Sequence, residues 1–386
     1  LSVFLFLVGV FFAFYHLFGP QGFSRNQGDA LGYVTLAQNM TQRGVFSLMR
    51  AEPFNPDMLR TPAYAFLIYL SLKIFGGFAP LVFLQVLFTC FGAVLTYLIG
   101  RRYFGYRIGL IGALLFGMDP VVAYWTSQTM TEPIYTFIFL AAIYAFCRYI
   151  EERRFVFLVL SAVGFGAATL VRPTLNFSIP LFFLMFVAMD FWPKFKPNPN
   201  LKRAIKHFVV FAVLFYLCLF PWMMRNKNVF GVFRLTSIST QNLFYYQAMP
   251  MLFNLGLVAR SDDDSTVYKY LEQRLLERGV KADLAYHEFS WDYHKASRQI
   301  DKVAITDIIA HPGASFGVFW GGFKDFLFEG YGYIYEVGQK YARLPASGAR
   351  PFLLFSGAYL IILWVGFVAS AAERILAPVA QETHKT

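Results

Sequence analysis

The chain consists largely of long apolar runs that alternate with short clusters of charged residues. Eight runs of 16 to 22 residues predict membrane-spanning helices, because about 20 residues cross a bilayer. The first run lacks the basic start and the small-residue cleavage site of a signal peptide, so we expect it to be a retained span. The predicted spans are residues 1–18, 79–100, 108–125, 130–147, 155–171, 176–192, 207–222 and 351–371.

The basic clusters between the runs predict the direction of each span. Three clusters are separated from one another by two spans each, so all three can lie on the cytoplasmic side, as the positive-inside rule requires. They are Arg101, Arg102 and Arg107; Arg148, Arg153 and Arg154; and Lys194, Lys196, Lys202, Arg203 and Lys206. A shorter apolar stretch, residues 62–75, has only 14 residues, and we expect it to lie along the outer interface.

This topology predicts the fold class and the domains. The fold is an all-α integral membrane protein of about eight transmembrane helices, with juxtamembrane helices in the first external loop, residues 19–78. Residues 1–222 form the transmembrane core, 223–350 a small, mostly helical external segment on the acceptor side, and 351–386 the final transmembrane helix and a cytoplasmic tail. Within the external segment we predict amphipathic helices at 265–279, after Asp262, Asp263 and Asp264, and at 283–301, and an interfacial helix at 316–328.

Composition supports a membrane protein and excludes several other classes. Hydrophobic residues make up 57% of the chain and charged residues only 15%, against about a quarter in soluble domains. A cytosolic enzyme, a disordered chain and a disulfide scaffold are therefore excluded. The net charge of +11 follows from the scattered cytoplasmic clusters, so we expect no nucleic-acid partner. The three cysteines each lie inside an apolar run, which disfavours a disulfide or a thiolate metal site.

Charged residues at the external ends of the spans are the candidates for function, because ionisable groups at membrane depth are costly. Taken singly, each has a structural explanation, such as helix capping, interaction with the helix dipole or anchoring at the interface. Taken together, five separate segments bring them to one face. They are Asp29, Arg60, Asp119, Glu132, Arg172 and Arg225.

Ordered motifs along nearly the whole chain resemble the polyprenyl-phosphate-sugar-dependent glycosyltransferases of the GT-C superfamily. The similarity is to the branch that contains protein O-mannosyltransferases and lipid A aminoarabinose transferases. The motifs are Gly-Asp with a tyrosine four residues on and then Leu-Ala-Gln-Asn-Met; Arg-Thr-Pro-Ala-Tyr at 60–64 with a run ending Ile-Phe-Gly; Leu-Ile-Gly-Arg-Arg-Tyr-Phe-Gly at 98–105; Met-Asp-Pro at 118–120; Met-Thr-Glu-Pro at 130–133; Val-Arg-Pro-Thr at 171–174; Pro-Trp-Met-Met-Arg-Asn at 221–226; and His-Pro-Gly at 311–313.

The resemblance implies transfer of a sugar from a polyprenyl-phosphate donor to a glycan, glycolipid or protein acceptor at the external membrane face. Asp29 stands where the family has its proposed general base, which would take the proton of the acceptor hydroxyl in an inverting displacement. The leaving phosphate needs charge stabilisation, which guanidinium groups supply. The phosphate candidates are Arg60, Arg172, Arg225 and Lys227, and the further substrate-binding candidates are Tyr33, Tyr64, Glu132 and Asn226.

Two positions depart from the family pattern. Ala30 replaces the second acidic residue of the protein mannosyltransferases, which disfavours a eukaryotic type of protein acceptor. Arg60 and Thr61 stand where the aminoarabinose branch has an acidic residue and a lysine, so a metal-ligand position is missing. We expect no obligatory cofactor. A divalent metal remains open, with Asp29, Asp119, Glu132 and His311 as its only ligand candidates.

Several aromatic residues have two interpretations. Phe182, Phe183 and Phe186 could line a groove for the lipid tail of the donor or pack in the core. Tyr245, Tyr246 and Trp291 could stack on a sugar, in a segment that shapes the acceptor site. A lipid-linked glycan flippase and a secondary transporter are the alternative functions, although we find no inverted repeat. The expected location is the bacterial inner membrane, with the site facing the periplasm or exterior; the sugar, hexose or pentose, and the acceptor stay open.

Overall fold

The structure is a computed structural model that describes residues 29–191, 200–260, 265–284 and 290–328. Within these ranges the chain forms helices and connecting loops and no strand, which confirms the all-α prediction. The α-helices in chain order are α1 Asp29–Arg43, α2 Pro62–Phe75, α3 Ala79–Phe104, α4 Tyr106–Met118, α5 Pro120–Ser127, α6 Glu132–Glu152, α7 Phe155–Val171, α8 Ile179–Phe191, α9 Leu201–Phe230, α10 Ile238–Gln241, α11 Met249–Asn254, α12 Ser265–Leu276, α13 Trp291–Ala310 and α14 Pro312–Phe328.

Several predicted features lie outside the described residues. They are the first and last predicted spans, the basic residues Lys194 and Lys196, and the three aspartates before α12. The predicted helix at 283–301 overlaps α13, which begins at Trp291. The hydroxyl of the preceding residue, Ser290, accepts the backbone N–H of Tyr293 at 3.1 Å. That serine is a normal N-cap residue, so the cap determines where the helix begins.

Within the described ranges, three helices are long and apolar enough to cross a membrane. These are α3, α6 and α9, and α4 with α5 would add a fourth if the bent pair forms one span. Three further apolar helices are shorter, namely α2, α7 and α8. The helix α2 matches the predicted short interfacial stretch, and α7 matches the predicted span 155–171 at both ends. The apolar helices make this an integral membrane protein.

The predicted span at 108–125 is interrupted by a bend. The chain forms two helices that meet at 51°. Pro120 disfavours a helical conformation at the preceding residue, and Asp119 accordingly has an extended backbone, with ψ at 120°. Its carboxylate then accepts the N–H of Val121 at 2.7 Å and of Val122 at 3.4 Å, so Asp119 begins α5 as an N-cap.

The helix that contains the predicted span 207–222 is longer than the span, because α9 runs from Leu201 to Phe230. Gly231 ends the helix with a φ of +76°, and its N–H donates to the carbonyl of Lys227 at 2.9 Å. Arg225, Asn226 and Lys227 therefore lie on the last turns of α9.

The helices α6, α7, α8 and α9 pack around an aromatic core. Phe182 and Phe186 of α8 are buried in it, and Phe182 lies 4.8 Å from Phe211 between ring centroids. The interpretation of these two rings as the lining of a donor groove is therefore wrong, because the neighbouring helices cover them. Phe183, partly buried, packs edge-on against Phe208 at 5.1 Å.

The two ends of the bundle differ in charge. Arg102 at the end of α3 forms an ion pair with Glu151 at the end of α6, and Tyr149 of α6 is hydrogen-bonded to His207 in the second turn of α9. The described members of all three basic clusters therefore share one end. Glu132 and Arg172 lie at the opposite ends of α6 and α7, and Arg225 at the opposite end of α9.

The backbones of α3 and α4 approach each other closely at Gly109. We predict that one added methyl group there destabilises the protein. A Cβ on Gly109 would lie 2.5 Å from the backbone N of Arg101 and 2.8 Å from the carbonyl oxygen of Tyr97. Backbone atoms cannot rotate away, so Gly109→Ala should lower the free energy of unfolding by about 1–3 kcal/mol. The measurement is thermal unfolding in detergent.

The matched control is Gly112→Ala on the same helix. There the nearest atom to the new Cβ is the Thr96 methyl group at 3.7 Å, an ordinary contact. Because alanine favours a helix more than glycine does, this variant should melt at the wild-type temperature or slightly above it. Equal melting temperatures for the two variants would contradict the close approach.

The chain divides into two compact units, residues 1–315 and 316–386. The first unit contains the bundle and the helices α10 to α13, in which charged pairs are prominent. Arg234 donates to Asp301 at 3.0 Å, and Arg274 donates to Asp307 at 2.8 Å. The described part of the second unit belongs to α14, where Phe316 and Phe319 are exposed, as expected for an interfacial helix.

Candidate functional site

The first charged pair of the site joins α1 to the turn before α2. Asp29 is the first residue of α1, and Arg60 lies 31 residues later, before the Thr-Pro that begins α2. The Nη2 of Arg60 donates to Oδ1 of Asp29 at 2.6 Å. The Asp29 side chain is 56% exposed and that of Arg60 only 13%. The carboxylate is therefore accessible, while the guanidinium is held in the protein.

The ring of Tyr33 packs against the Arg60 guanidinium of this pair. It follows Asp29 by one helical turn on α1 and is only 4% exposed. The guanidinium carbon of Arg60 lies 5.2 Å from the centre of its ring, within the range of a cation–π interaction. On its other side Tyr33 meets the ring of Tyr64 edge-on at 5.1 Å.

The second charged pair joins the start of α6 to the end of α7. Nη1 of Arg172 donates to Oε1 of Glu132, 40 residues away, and lies 3.5 Å from the hydroxyl of Thr131. Arg172 precedes Pro173, so it leaves the helix with an extended backbone, φ −143° and ψ 123°. The side chains of Arg172 and Glu132 are 40% and 28% exposed. This pair is also open to a ligand.

The two pairs form one cluster, which we call the four-charge cluster: Asp29, Arg60, Glu132 and Arg172. All four act electrostatically on the Tyr33 hydroxyl. Burial raises the pKa of that hydroxyl above its ordinary value; Arg60 opposes the rise, Asp29 and Glu132 add to it, and Arg172 opposes it. The hydroxyl therefore stays protonated at neutral pH and can donate a hydrogen bond. Two carboxylates and two guanidiniums leave the cluster formally neutral.

An apolar cavity of about 170 Å³ adjoins the four-charge cluster at Glu132. It lies between α3, α4, α5 and α6, and Glu132 is the one charged residue in its lining. The hydroxyls of Thr89 and Thr126, which also line it, are 3.0 Å apart and bond to each other. The remaining lining is mainly aromatic and aliphatic, and includes Phe88, Phe116, Trp125 and Phe137.

Arg225 binds the backbone of the loop that carries Arg60. Its Nη1 donates to the carbonyl of Asp57 at 2.6 Å and to Oδ1 of Asn226 at 2.9 Å. Its guanidinium also lies over the ring of Trp222 at 4.7 Å. Arg225 therefore has protein partners that fix the loop. Lys227, two residues on, is exposed at the end of α9.

Two of the predicted substrate-binding residues are fully buried. The Tyr64 hydroxyl donates to Oε1 of Gln85 at 2.7 Å, and the Asn226 amide donates to the carbonyls of Arg234 at 3.0 Å and Leu235 at 2.9 Å. Both side chains have 0% exposure. Their polar atoms bind protein groups, and neither side chain is open to a ligand.

The two remaining metal-ligand candidates lie at the ends of different helices in the first unit. Asp119 caps α5, and His311 is the C-cap residue of α13. Within the described ranges, no three His, Cys, Asp or Glu side chains form a group that could hold a metal ion. Among the predicted stacking residues, Trp291 packs against Phe230 at 5.1 Å, whereas Tyr246 is 68% exposed.

Two residues that the sequence analysis missed lie directly behind Arg60. Asp57 and His294 are 2% and 0% exposed, and they approach each other at 3.5 Å. They are 237 positions apart in the chain, and neither stands in a motif with a recognised spacing. The one sequence signal available was that Asp57, a charged residue, stands three positions before Arg60.

One comparison with known proteins, a family model, agrees with the sequence motifs. Residues 59–224 match the family model described as dolichyl-phosphate-mannose-protein mannosyltransferase. No curated protein matches the chain. Among solved structures, the crystal structure of ArnT from Cupriavidus metallidurans in the apo state is similar to 96% of this chain and 71% of its own, with 14% identity and a TM-score of 0.44.

The matched segment contains three members of the four-charge cluster, Arg60, Glu132 and Arg172, whereas Asp29 precedes it. The family match confirms the resemblance drawn from the motifs: over residues 59–224 this chain is similar to the polyprenyl-phosphate-sugar-dependent membrane glycosyltransferases of the GT-C superfamily.

Proposed function

We propose that this protein is a membrane glycosyltransferase that moves a sugar from a polyprenyl-phosphate donor to an acceptor hydroxyl. The observation that carries the proposal is the four-charge cluster, in which two accessible carboxylates and two guanidiniums meet beside an apolar cavity. Such a site offers a base for the acceptor, positive charge for the phosphate and apolar surface for the lipid. The family match over residues 59–224 supports the same donor class.

Asp29 is the general base in this proposal. Its hydrogen bond to Arg60 orients the carboxylate, and its exposure lets an acceptor hydroxyl reach it. As the hydroxyl oxygen attacks the anomeric carbon, Asp29 takes the proton. The bond from that carbon to the phosphate oxygen breaks, and its electron pair leaves with the polyprenyl phosphate. One displacement inverts the anomeric configuration.

Arg172 and Arg60 stabilise the leaving phosphate. Arg172 is the more exposed of the two, so a donor phosphate can reach it while the guanidinium keeps part of its contact with Glu132. A planar guanidinium can hold two phosphate oxygens at once. Lys227 is an additional exposed cation for the donor, and the Tyr33 hydroxyl and Glu132 are the further substrate contacts. The cavity beside Glu132 would take the first isoprenoid units.

The external membrane face is the proposed side of the reaction. The four-charge cluster lies at the end of α6 and α7 opposite to the joined basic clusters, which the positive-inside rule assigns to the cytoplasm. For a bacterial inner-membrane protein, that face is the periplasmic or exterior one. The segment from 223 onward would shape the acceptor site.

The test is transfer of radiolabelled sugar by purified protein in detergent, with a panel of synthetic polyprenyl phosphates that carry hexoses or pentoses. A crude cell-envelope fraction serves as acceptor, and the labelled product identifies the acceptor class. The proton and the electron pair of the proposed reaction are accounted for without a metal ion. EDTA should therefore leave the rate unchanged. Loss of activity on chelation would overturn that expectation and assign a cation to the carboxylates of the cluster.

The same assay separates this function from the two alternatives. A flippase or a secondary transporter would move its substrate across a vesicle membrane without forming a new glycosidic bond. Absence of labelled product with every donor, together with substrate movement in vesicles, would contradict the glycosyltransferase proposal.

A further inference from the structure

A fully buried polar chain lies behind Arg60. The Ser237 hydroxyl is 3.1 Å from Nδ1 of His294, and Nε2 of the same imidazole is 3.5 Å from Oδ1 of Asp57. The other carboxylate oxygen of Asp57 accepts the backbone N–H of Arg60 at 3.0 Å. Ser237, His294 and Asp57 have at most 2% exposure.

The same region binds the backbone carbonyls of three consecutive residues of the loop before Arg60. The N–H of Ser237 donates to the carbonyl of Met58 at 2.9 Å, and the hydroxyl of Thr236 donates to the carbonyl of Leu59. Arg225 donates to the carbonyl of Asp57. Residues from 225 to 294 thus hold the loop at consecutive positions, and the loop ends in the guanidinium that meets Asp29.

The imidazole of His294 makes contacts through both ring nitrogens. Nε2 accepts the backbone N–H of Met58 at 3.4 Å, and Nδ1 lies 3.1 Å from the Ser237 hydroxyl. Nε2 also lies 3.5 Å from Oδ1 of Asp57, a buried acceptor that has no hydrogen bond within the usual distance. An unsatisfied buried acceptor costs about 1–3 kcal/mol, so the position of this imidazole bears on both the backbone of Met58 and the Asp57 carboxylate.

We propose that His294 and Asp57 are positioning residues for the catalytic pair, and that they act through Arg60. His294, which contacts the Ser237 hydroxyl, accepts the backbone N–H of Met58 and packs against the Asp57 carboxylate. That carboxylate accepts the backbone N–H of Arg60, and Arg60 orients Asp29. This inference rests on the proposed function. It links the segment after α9 to the chemistry at α1, although none of these buried groups touches substrate.

A hydrolytic role for this chain of residues is excluded by burial. The order hydroxyl, imidazole, carboxylate is that of a serine hydrolase triad, in which the hydroxyl attacks a bound substrate. Here Ser237 and His294 both have 0% exposure, and the ring of Phe230 on α9 lies 5.2 Å from the imidazole ring. A substrate cannot reach it.

The test compares His294→Leu, which removes both ring nitrogens, with His294→Gln, whose amide keeps polar atoms near Met58 and Asp57. Misplacement by about 1 Å costs up to 100-fold in rate, so we expect His294→Leu to lower kcat by at least tenfold, and His294→Gln to recover most of the loss. Ser297→Ala is the matched control: Ser297 is buried on the same helix, and its hydroxyl has no hydrogen bond. Its kcat should equal that of wild type.

Two further measurements distinguish positioning from a general loss of structure. In an Arg60→Lys background, His294→Leu should have little additional effect, because both changes disturb the same contact. Additive effects would overturn the proposal. If His294→Leu does not fold, Ser237→Ala makes the same comparison, since it removes only the hydroxyl that orients the imidazole.

Hydrogen exchange makes the test independent of activity. In purified protein, His294→Leu or Ser237→Ala should speed amide exchange in a peptide covering 57–61, whereas Ser297→Ala should leave it unchanged. Unchanged exchange in the first two variants would overturn the positioning role. If wild-type protein transfers no sugar but the exchange result holds, the proposed function fails and the role of His294 in holding the loop survives.

Discussion

Asp29→Asn is expected to lower sugar transfer by about 10²–10⁴-fold, the usual contribution of a general base. Asparagine keeps an oxygen that can accept the bond from Arg60, so the geometry of the pair should survive. It loses the ability to take a proton from the acceptor hydroxyl. Donor binding should therefore stay near the wild-type level while kcat falls. The measurements are initial rates with labelled donor and equilibrium binding of the polyprenyl phosphate.

The control for this variant is Asp292→Asn. Asp292 also lies in the first turn of a helix, α13, where it accepts the backbone N–H of Asp283 at 3.2 Å. A general effect of removing an acidic residue near a helix start would appear in both variants. Equal transfer by Asp29→Asn and wild type would remove Asp29 from the mechanism and make Glu132, the other exposed carboxylate of the cluster, the next residue to test.

Arg172→Gln is expected to lower kcat/KM for the donor by about 10²–10³-fold, the cost of losing one donor to a developing oxyanion. The phosphate loses the more accessible of its two guanidiniums. Arg172→Lys should recover only part of the rate, because an ammonium group carries the charge but cannot hold two oxygens in the same way. The measurement is the donor dependence of the initial rate.

The free energy of unfolding should change little in Arg172→Gln. Arg172 is more than a third exposed, and exposed ion pairs contribute at most about 1 kcal/mol. The double variant Arg172→Gln with Glu132→Gln shows whether an unpaired Glu132 causes part of the loss. The control is Arg148→Gln, which breaks the pair with Glu152 at the opposite end of α6. If Arg148→Gln lowers kcat/KM as much as Arg172→Gln does, the loss cannot come from the donor phosphate.

The sequence predicted the helices whose ends are marked locally. The helix α7 was predicted at both ends, because a basic cluster precedes it and Arg-Pro follows it. The helix α2 likewise lies between a Thr-Pro and a glycine. The sequence analysis missed the bend inside the predicted span 108–125. The residues on both sides of Asp119 are apolar, yet Pro120 disrupts the helix there.

The extension of α9 was missed for the opposite reason. The predicted span ended with the apolar run at 222, but a helix end tolerates charged side chains, and the glycine that ends the helix comes only at 231. On these last turns Arg225 donates to a loop of the protein. Its partner, the carbonyl of Asp57, lies 168 residues earlier and carries no sequence signal.

The chain by itself determined the membrane class, the helical fold, most helix positions and the set of charged residues near the helix ends, because hydropathy, proline and charge act over a few neighbouring residues. Tertiary structure decided how those charges pair. Asp29 meets Arg60 and Glu132 meets Arg172 only because α1, α2, α6 and α7 pack together. It also decided that Tyr64 and Asn226 are buried, and that Asp57 and His294 lie behind the site. Such contacts depend on packing between segments that are distant in the chain, and no local pattern encodes them.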